Sequence, residues 1–297
     1  MAQAARCLLA AHPMISTLRE LSMRGPVRAP RHAMVSPAEI PAWRWAALVA
    51  VFVAIAHDKI HREAGEVVLA QRLAGARLAP APSVFDAWSK ILYALLMYTV
   101  FQLGEAQRRL WVYDRASRPV TLVCVLAGAQ LAALQAGSGL ATVAAISIAS
   151  ALAAGVAYHR VHGDIADGSA TPWIGVPFSL VLAYTAGTAL AALDAVIAGA
   201  GGTSAAYAIA PVAVAGVGAI YAGLARRDAM LPGFTAWILT SICTLRPPAA
   251  VATAALIAGV LCATAAVVIA AAQLQAWSAG RSVRPARRSG RRAPEVR

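Results

Sequence analysis

Two histidine pairs, three charged side chains within apolar runs and a set of aromatic rings are the residues here whose types and spacing could do chemistry. His57 and His61 stand four apart, so a helix puts them on one face beside Asp58 and Glu63; His159 and His162 are followed by Asp164 and Asp167. Both pairs have donor types suited to a metal ion. Both also fall where an apolar run meets a polar one, the ordinary place for an interfacial histidine, and no metal site is assigned. Asp194 lies in the otherwise apolar run 186–200. An ionisable residue there is a functional position by default, facing the bundle interior or a wet cavity. Asp86 and Lys90, four apart at the start of another apolar run, can pair along one helix face, and Lys90 can also snorkel.

Trp88, Tyr93 and Tyr98 line up within one run, while Trp173, Pro177, Phe178 and Tyr184 cluster at the start of another. Flat rings set between helices with a few polar groups suit a planar apolar ligand. Trp43, Trp45, Trp111 and Trp277 stand at run ends as interfacial anchors, and Gln102, Gln130 and Gln135 offer hydrogen bonds between helices. Catalytic templates are missing: there is no Gly-x-x-x-x-Gly-Lys-Ser/Thr, Gly-x-Ser-x-Gly, His-Glu-x-x-His or Cys-x-x-Cys. The expectation is therefore a protein that is not an enzyme and requires no cofactor. Cys7, Cys124, Cys243 and Cys262 are too scattered to form a disulfide framework or thiol metal site.

The elements that carry these residues belong in a bilayer. Of the 297 residues, 60% are hydrophobic and only 13% charged, about half the charge of a soluble domain. The net charge of +13 is read as a topology signal and as contact with anionic lipid, with no nucleic-acid partner. Windows of about 20 apolar residues predict an all-α polytopic transmembrane helix bundle with spans at 40–57, 84–103, 119–136, 140–159, 173–199, 205–225, 230–245 and 248–276. The first and seventh are short, so six to eight spans fit. Basic residues then place both termini on the cytoplasmic or inner side. Segment 58–83 breaks this pattern with Lys59, Arg62, Arg72 and Arg77, and the spacing of Leu69, Leu73 and Ala76 suits a short helix in the interface. Residues 1–42 read as a basic tail or targeting segment, 43–277 as the transmembrane domain and 278–297 as an Arg-rich tail. The basic start fits a plastid or mitochondrial membrane as well as a bacterial inner membrane.

Three stretches resemble the tryptophan-rich sensory protein family, also called the translocator protein or peripheral benzodiazepine receptor family, in its longer multi-span branch. Trp173-Ile-Gly-Val-Pro-Phe-Ser-Leu-Val-Leu-Ala-Tyr184 is similar to that family's Pro-Phe-Ser segment. Phe85-Asp-Ala-Trp88-Ser-Lys-Ile-Leu-Tyr93, with Phe101-Gln102 after it, resembles a Phe-x-Ile-Trp-Gly segment. Arg227-Asp228-Ala-Met-Leu-Pro-Gly-Phe-Thr-Ala-Trp237 resembles an Arg-x-Asp segment. Together they cover about 85–245. Departures are Ser89 for a Gly, Val181 for a Tyr, Ala183 for a Gly, Tyr184 for a Trp, and Ala192 or Asp194 where an Asn is usual.

The resemblance implies a receptor or carrier, often a homodimer, that binds a tetrapyrrole such as porphyrin or haem, or a sterol-like hydrophobic ligand. Carried over residue by residue, Trp88, Tyr93, Pro177, Phe178, Tyr184 and Trp237 form the ligand site. A second reading is a secondary transporter of a small solute, with Asp194, Asp86 and Lys90 as coupling groups and Pro177 and Pro232-Gly233 breaking helices. A third is a structural membrane protein without a ligand, which the Ala-rich packing faces fit.

Overall fold

The computed structural model describes residues 40–73, 76–104, 107, 110–166, 170–202 and 204–282, with side chains described for all but 61–73, 111 and 279–282. Nearly all of the N-terminal segment 1–42 and of the tail 278–297 lies outside the described residues.

Among these residues the chain is all helical, with no strand. Eight helices follow in order: α1 Ala42–Leu73, α2 Pro82–Phe101, α3 Trp111–Gln135, α4 Leu140–Ala166, α5 Val176–Gly199, α6 Ala206–Arg226, α7 Met230–Ile242 and α8 Ala249–Ser282. Single 3₁₀ turns, Pro172–Gly175 and Cys243–Leu245, precede α5 and follow α7. Every predicted span coincides with a helix. Six of them, α2 to α6 and α8, are long and apolar enough to cross a membrane. The two that fall short are the two the sequence leaves doubtful. With 13 residues α7 is too short, and α1 carries Arg44, Asp58 and Lys59 close to its apolar stretch.

The predicted break after residue 57 does not occur. Instead of a span followed by a separate short helix within 58–83, α1 is one helix of 32 residues that continues past residue 57 to Leu73. The reason lies in the residue types. From Asp58 to Leu73 the chain has no proline and a single glycine, Gly65, among Glu, Arg, Ala, Leu and Gln, all strong helix formers. Pro80 and Pro82 follow, and Pro82 opens α2 at a position where its missing N–H costs nothing. Likewise α3 begins at Trp111, ahead of the predicted 119, and carries Pro119 inside it.

Consecutive helices alternate in direction. At one end of the bundle gather the starts of α1, α3, α5 and α7 and the ends of α2, α4, α6 and α8; this is called the arginine-rich end below. α1 packs on α2 and α3, α3 on α4, and α4 on α5, while α2 touches α5 more lightly than it touches α1. α6, α7 and α8 pack on one another, and α7 joins this trio to α5. Where α6 meets α8 a Cβ on Gly216 would stand 3.2 Å from the Ala258 Cβ, so small residues set the approach, as expected in lipid. The buried core is made of aliphatic and aromatic side chains such as Ile91, Leu92, Leu95, Tyr113, Val123, Val143 and Phe178.

The α6–α7 corner is held by a non-glycine residue in the left-handed region. Arg227 has φ 53°, while its own N–H bonds the Leu224 carbonyl and the Asp228 N–H bonds that of Gly223. This is the paired closure that usually places Gly in that conformation. Replacing Arg227 by Gly keeps both hydrogen bonds and removes the steric cost of the left-handed backbone, of order 1 kcal/mol. The expected outcome is a thermal unfolding midpoint in detergent a few degrees higher for Arg227→Gly than for Arg227→Ala, since both lose the side chain and only glycine relieves the backbone.

Candidate ligand site between α2 and α5

One face of α2 repeats at helical spacing through Trp88, Ile91, Leu92, Leu95, Tyr98 and Gln102, and this face turns inward. Opposite it, α5 presents Tyr184, Val181 and Phe178. Pro177 in the first turn, with φ already helical, fixes where Phe178 points. The antiparallel helices therefore meet in two aromatic contacts. Trp88 stacks on Tyr184 with ring centroids 5.0 Å apart and planes 21° apart. Nearer the arginine-rich end, Tyr98 meets Phe178 edge-on at 4.8 Å and Tyr113 of α3 at 5.2 Å. Trp88 and Tyr184 are half-buried, whereas Phe178 is fully enclosed.

Of the six residues assigned to the site, four meet in this seam: Trp88, Pro177, Phe178 and Tyr184. Tyr93 does not. It lies on the opposite side of α2, exposed, with the Lys59 ammonium 5.7 Å from its ring centre. Trp237 packs against Phe234 on its own helix, at 5.1 Å, on a side of α7 open to the surroundings. Trp173, in the 3₁₀ turn before α5, is 84% exposed.

The seam is closed at the arginine-rich end by a buried polar cluster. Arg44, 1% exposed, donates through Nε to Asp114 at 2.6 Å and through its terminal nitrogens to the carbonyls of Gln102, Gln107 and Leu110. Gln102 returns a hydrogen bond from Nε2 to the Arg44 carbonyl at 3.0 Å. The first turn of α1, the end of α2 and the first turn of α3 are thereby tied together. A second cluster ties α4, α5 and the α6–α7 corner. Ser179 Oγ lies 2.7 Å from Asp228 Oδ2, 3.1 Å from His162 Nε2 and 3.1 Å from the Gly175 carbonyl. A hydroxyl has one hydrogen, and the carboxylate is the stronger acceptor, so Ser179 donates to Asp228 and accepts from His162. In a nucleophilic serine the hydroxyl donates to the imidazole. Asp228 also accepts the Met230 N–H at 2.9 Å, capping α7. Gly175 is required here, because a Cβ would stand 2.7 Å from the imidazole of His162.

At the opposite end Asp194 is 1% exposed. Its Oδ1 faces the Arg77 guanidinium at 2.7 and 3.2 Å, and its Oδ2 accepts the Arg77 and Leu78 backbone N–H groups at 2.6 and 3.1 Å. Arg77 donates further to the Ser204 carbonyl at 2.7 Å. The arginine that breaks the loop charge pattern is thus the counter-ion of the buried carboxylate. Asp86 and Lys90 lie on the exposed side of α2. The buried carboxylate near them is Asp58 of α1, which accepts from Ser89 Oγ at 2.9 Å. His159 and His162 part company: His159 Nδ1 lies 2.8 Å from an Arg226 nitrogen, while His162 faces Ser179.

A family model described as TSPO-like protein matches residues 43–270. The chain belongs to the TSPO-like family. No curated protein and no solved structure matches it. The match begins in the first turn of α1 and ends within α8, so it takes in both helix groups and is wider than the 85–245 carried by the three stretches. Of the residues that hold this TSPO-like protein's site together, the sequence points to Gln102 and Asp194. Arg44, Arg77 and Asp114 go unseen, because arginine at the edge of an apolar run reads equally as a solvated loop charge. Trp43-Arg44-Trp45 was the available signal: an arginine between two interfacial tryptophans, at the start of a helix, must turn inward or snorkel.

Breaking one partner of a buried pair leaves the other charge uncompensated, at a cost of about 3–5 kcal/mol. Asp194→Ala is therefore expected to lower the unfolding midpoint strongly. Adding Arg77→Ala should cost little more, since its partner is already gone. Additive losses in that double-mutant cycle would show that the two residues act independently.

Proposed function

We propose that this TSPO-like membrane protein is a receptor or carrier that binds a flat hydrophobic ligand, a tetrapyrrole or a sterol-like molecule, in the seam between α2 and α5. The observation that carries the reading is the half-buried Trp88–Tyr184 stack at 5.0 Å. It joins two helices that otherwise touch lightly, and two parallel aromatic faces can accept a third planar ring on a stack. Trp88, Tyr184, Phe178 and Pro177 line that seam; Tyr93 and Trp237 stand outside it and are assigned no ligand contact. Binding is favoured over catalysis because the buried Ser179 donates to a carboxylate, the wrong polarity for a nucleophile.

The transporter reading draws less support. Asp194 already accepts hydrogen bonds from the Arg77 side chain and from two backbone N–H groups, which leaves it no free valence for a coupling ion. Asp86 and Lys90 face outward on α2.

Titration of the detergent-solubilised protein with protoporphyrin IX and with haem, followed by quenching of tryptophan fluorescence, tests the proposal. Saturable quenching is expected, with affinity reduced about tenfold or more in Trp88→Phe/Tyr184→Ala, which removes one face of the stack. Quenching equal to that of an unrelated membrane protein in the same detergent, or unchanged affinity in the double variant, overturns it.

A further inference from the structure

At the arginine-rich end of the seam two phenols are buried without a hydrogen-bond partner. Tyr98 of α2 is 5% exposed and Tyr113 of α3 is fully buried, and neither hydroxyl has a partner among the described residues. Their rings stand 5.2 Å apart, with the edge contact of Phe178 completing an aromatic enclosure. A buried hydroxyl left unsatisfied costs about 1–3 kcal/mol, and here two belong to rings in contact. The buried groups of the Arg44, Ser179 and Asp194 clusters, by contrast, are hydrogen-bonded.

The charges around the phenols define what they can hold. The guanidinium of Arg44 lies 5.5 Å from the Tyr113 ring centre, but it is neutralised by Asp114 at 2.6 Å. Asp164 at the end of α4 is matched by Arg115 at 3.0 Å. These two pairs leave no net positive charge beside the phenols, so a carboxylate entering this enclosure would be a buried anion whose neighbouring cations are already paired, which costs several kcal/mol. A neutral oxygen acceptor meets two O–H donors and aromatic walls at no such cost. Two O–H donors are the number that the two lone pairs of a carbonyl oxygen can take.

We propose that Tyr98 and Tyr113 form a binding site for the carbonyl oxygen of a neutral apolar ring compound, of which a membrane quinone is the simplest class. The ligand enters from the α2–α5 seam, and its carbonyl accepts from both hydroxyls against the face of Phe178. The site does not rest on tetrapyrrole binding. Its donors lie ten residues along α2 from Trp88, a rise of about 15 Å, and it excludes the carboxylated ligands that the outer stack can accept at its open edge.

The test uses the purified full chain in detergent, with decylubiquinone as probe and palmitate as a carboxylate control. Decylubiquinone is expected to raise the unfolding midpoint of the wild type and palmitate to leave it unchanged. In Tyr98→Phe/Tyr113→Phe the quinone affinity should fall about tenfold, the loss of two ordinary hydrogen bonds. The infrared carbonyl band of the bound quinone, lowered by hydrogen bonding in the wild type, should return to its free position in the variant. The variant's own midpoint without quinone separates two further cases. A midpoint equal to or above wild type accords with the proposal, because removing an unsatisfied hydroxyl relieves its cost. A clear fall means that the hydroxyls are already satisfied by ordered water only, and overturns it. Equal quinone affinity in wild type and variant, or a stronger effect of palmitate, also overturns it. Trp88→Phe should leave quinone binding intact while weakening porphyrin, so either site can fail without the other.

Discussion

A carboxylate or guanidinium inside a bilayer is tolerated only where the protein itself supplies the missing hydration. That constraint organises this molecule. Asp194 receives a guanidinium and two backbone N–H groups, Arg44 a carboxylate and three carbonyls, and Asp228 a hydroxyl and a helix N-terminus. Each of these groups joins elements distant in sequence: Arg77 to Asp194 across 117 residues, Arg44 to Asp114 across 70. In water such pairs add little. In lipid, where apolar side chains gain nothing by leaving the solvent, they choose which faces of otherwise similar Ala-rich helices meet.

The seam between α2 and α5 inherits its geometry from these anchors. Arg44 and Gln102 lock the end of α2 to α1 and α3. Ser179 and Asp228 fix the start of α5 to α4 and the α6–α7 corner. Asp194 and Arg77 hold the end of α5 to the segment leading into α2. The two helices are thus positioned from their ends, and the middle of their contact is left to rings. Trp88 and Tyr184, stacked at 5.0 Å and half-buried, lie away from the charges that place their helices.

Hydropathy and helix-forming composition made the fold legible: eight apolar windows became eight helices, because in a bilayer a helix is the only way for a single span to satisfy its own backbone. The helix passes residue 57 because hydropathy marks where an apolar run ends, whereas α1 continues through the helix-forming residues beyond it to Leu73. Much of the candidate seam was legible too. Trp88, Phe178 and Tyr184 share the inward faces of their helices, while Tyr93, five residues from Trp88, is rotated by about 140° and lands outside. The charged anchors were hidden because pairing between Arg44 and Asp114, or Arg77 and Asp194, is a fact of tertiary structure. A single sequence shows the two members of each pair but not their meeting.

The brevity of α7 reaches beyond the protein. Its 13 residues rise only about 20 Å, against a hydrocarbon thickness near 30 Å, and Met230 and Trp237 are exposed on it. Lipids beside that flank must pinch inward or tilt to keep their headgroups level with its ends, at a cost of fractions of a kcal/mol per Å. The longer α3 and α4, at 25 and 27 residues, impose no such deformation. Any lipid that meets α7 rather than its longer neighbours therefore meets a hydrophobic height shorter than the bilayer's own.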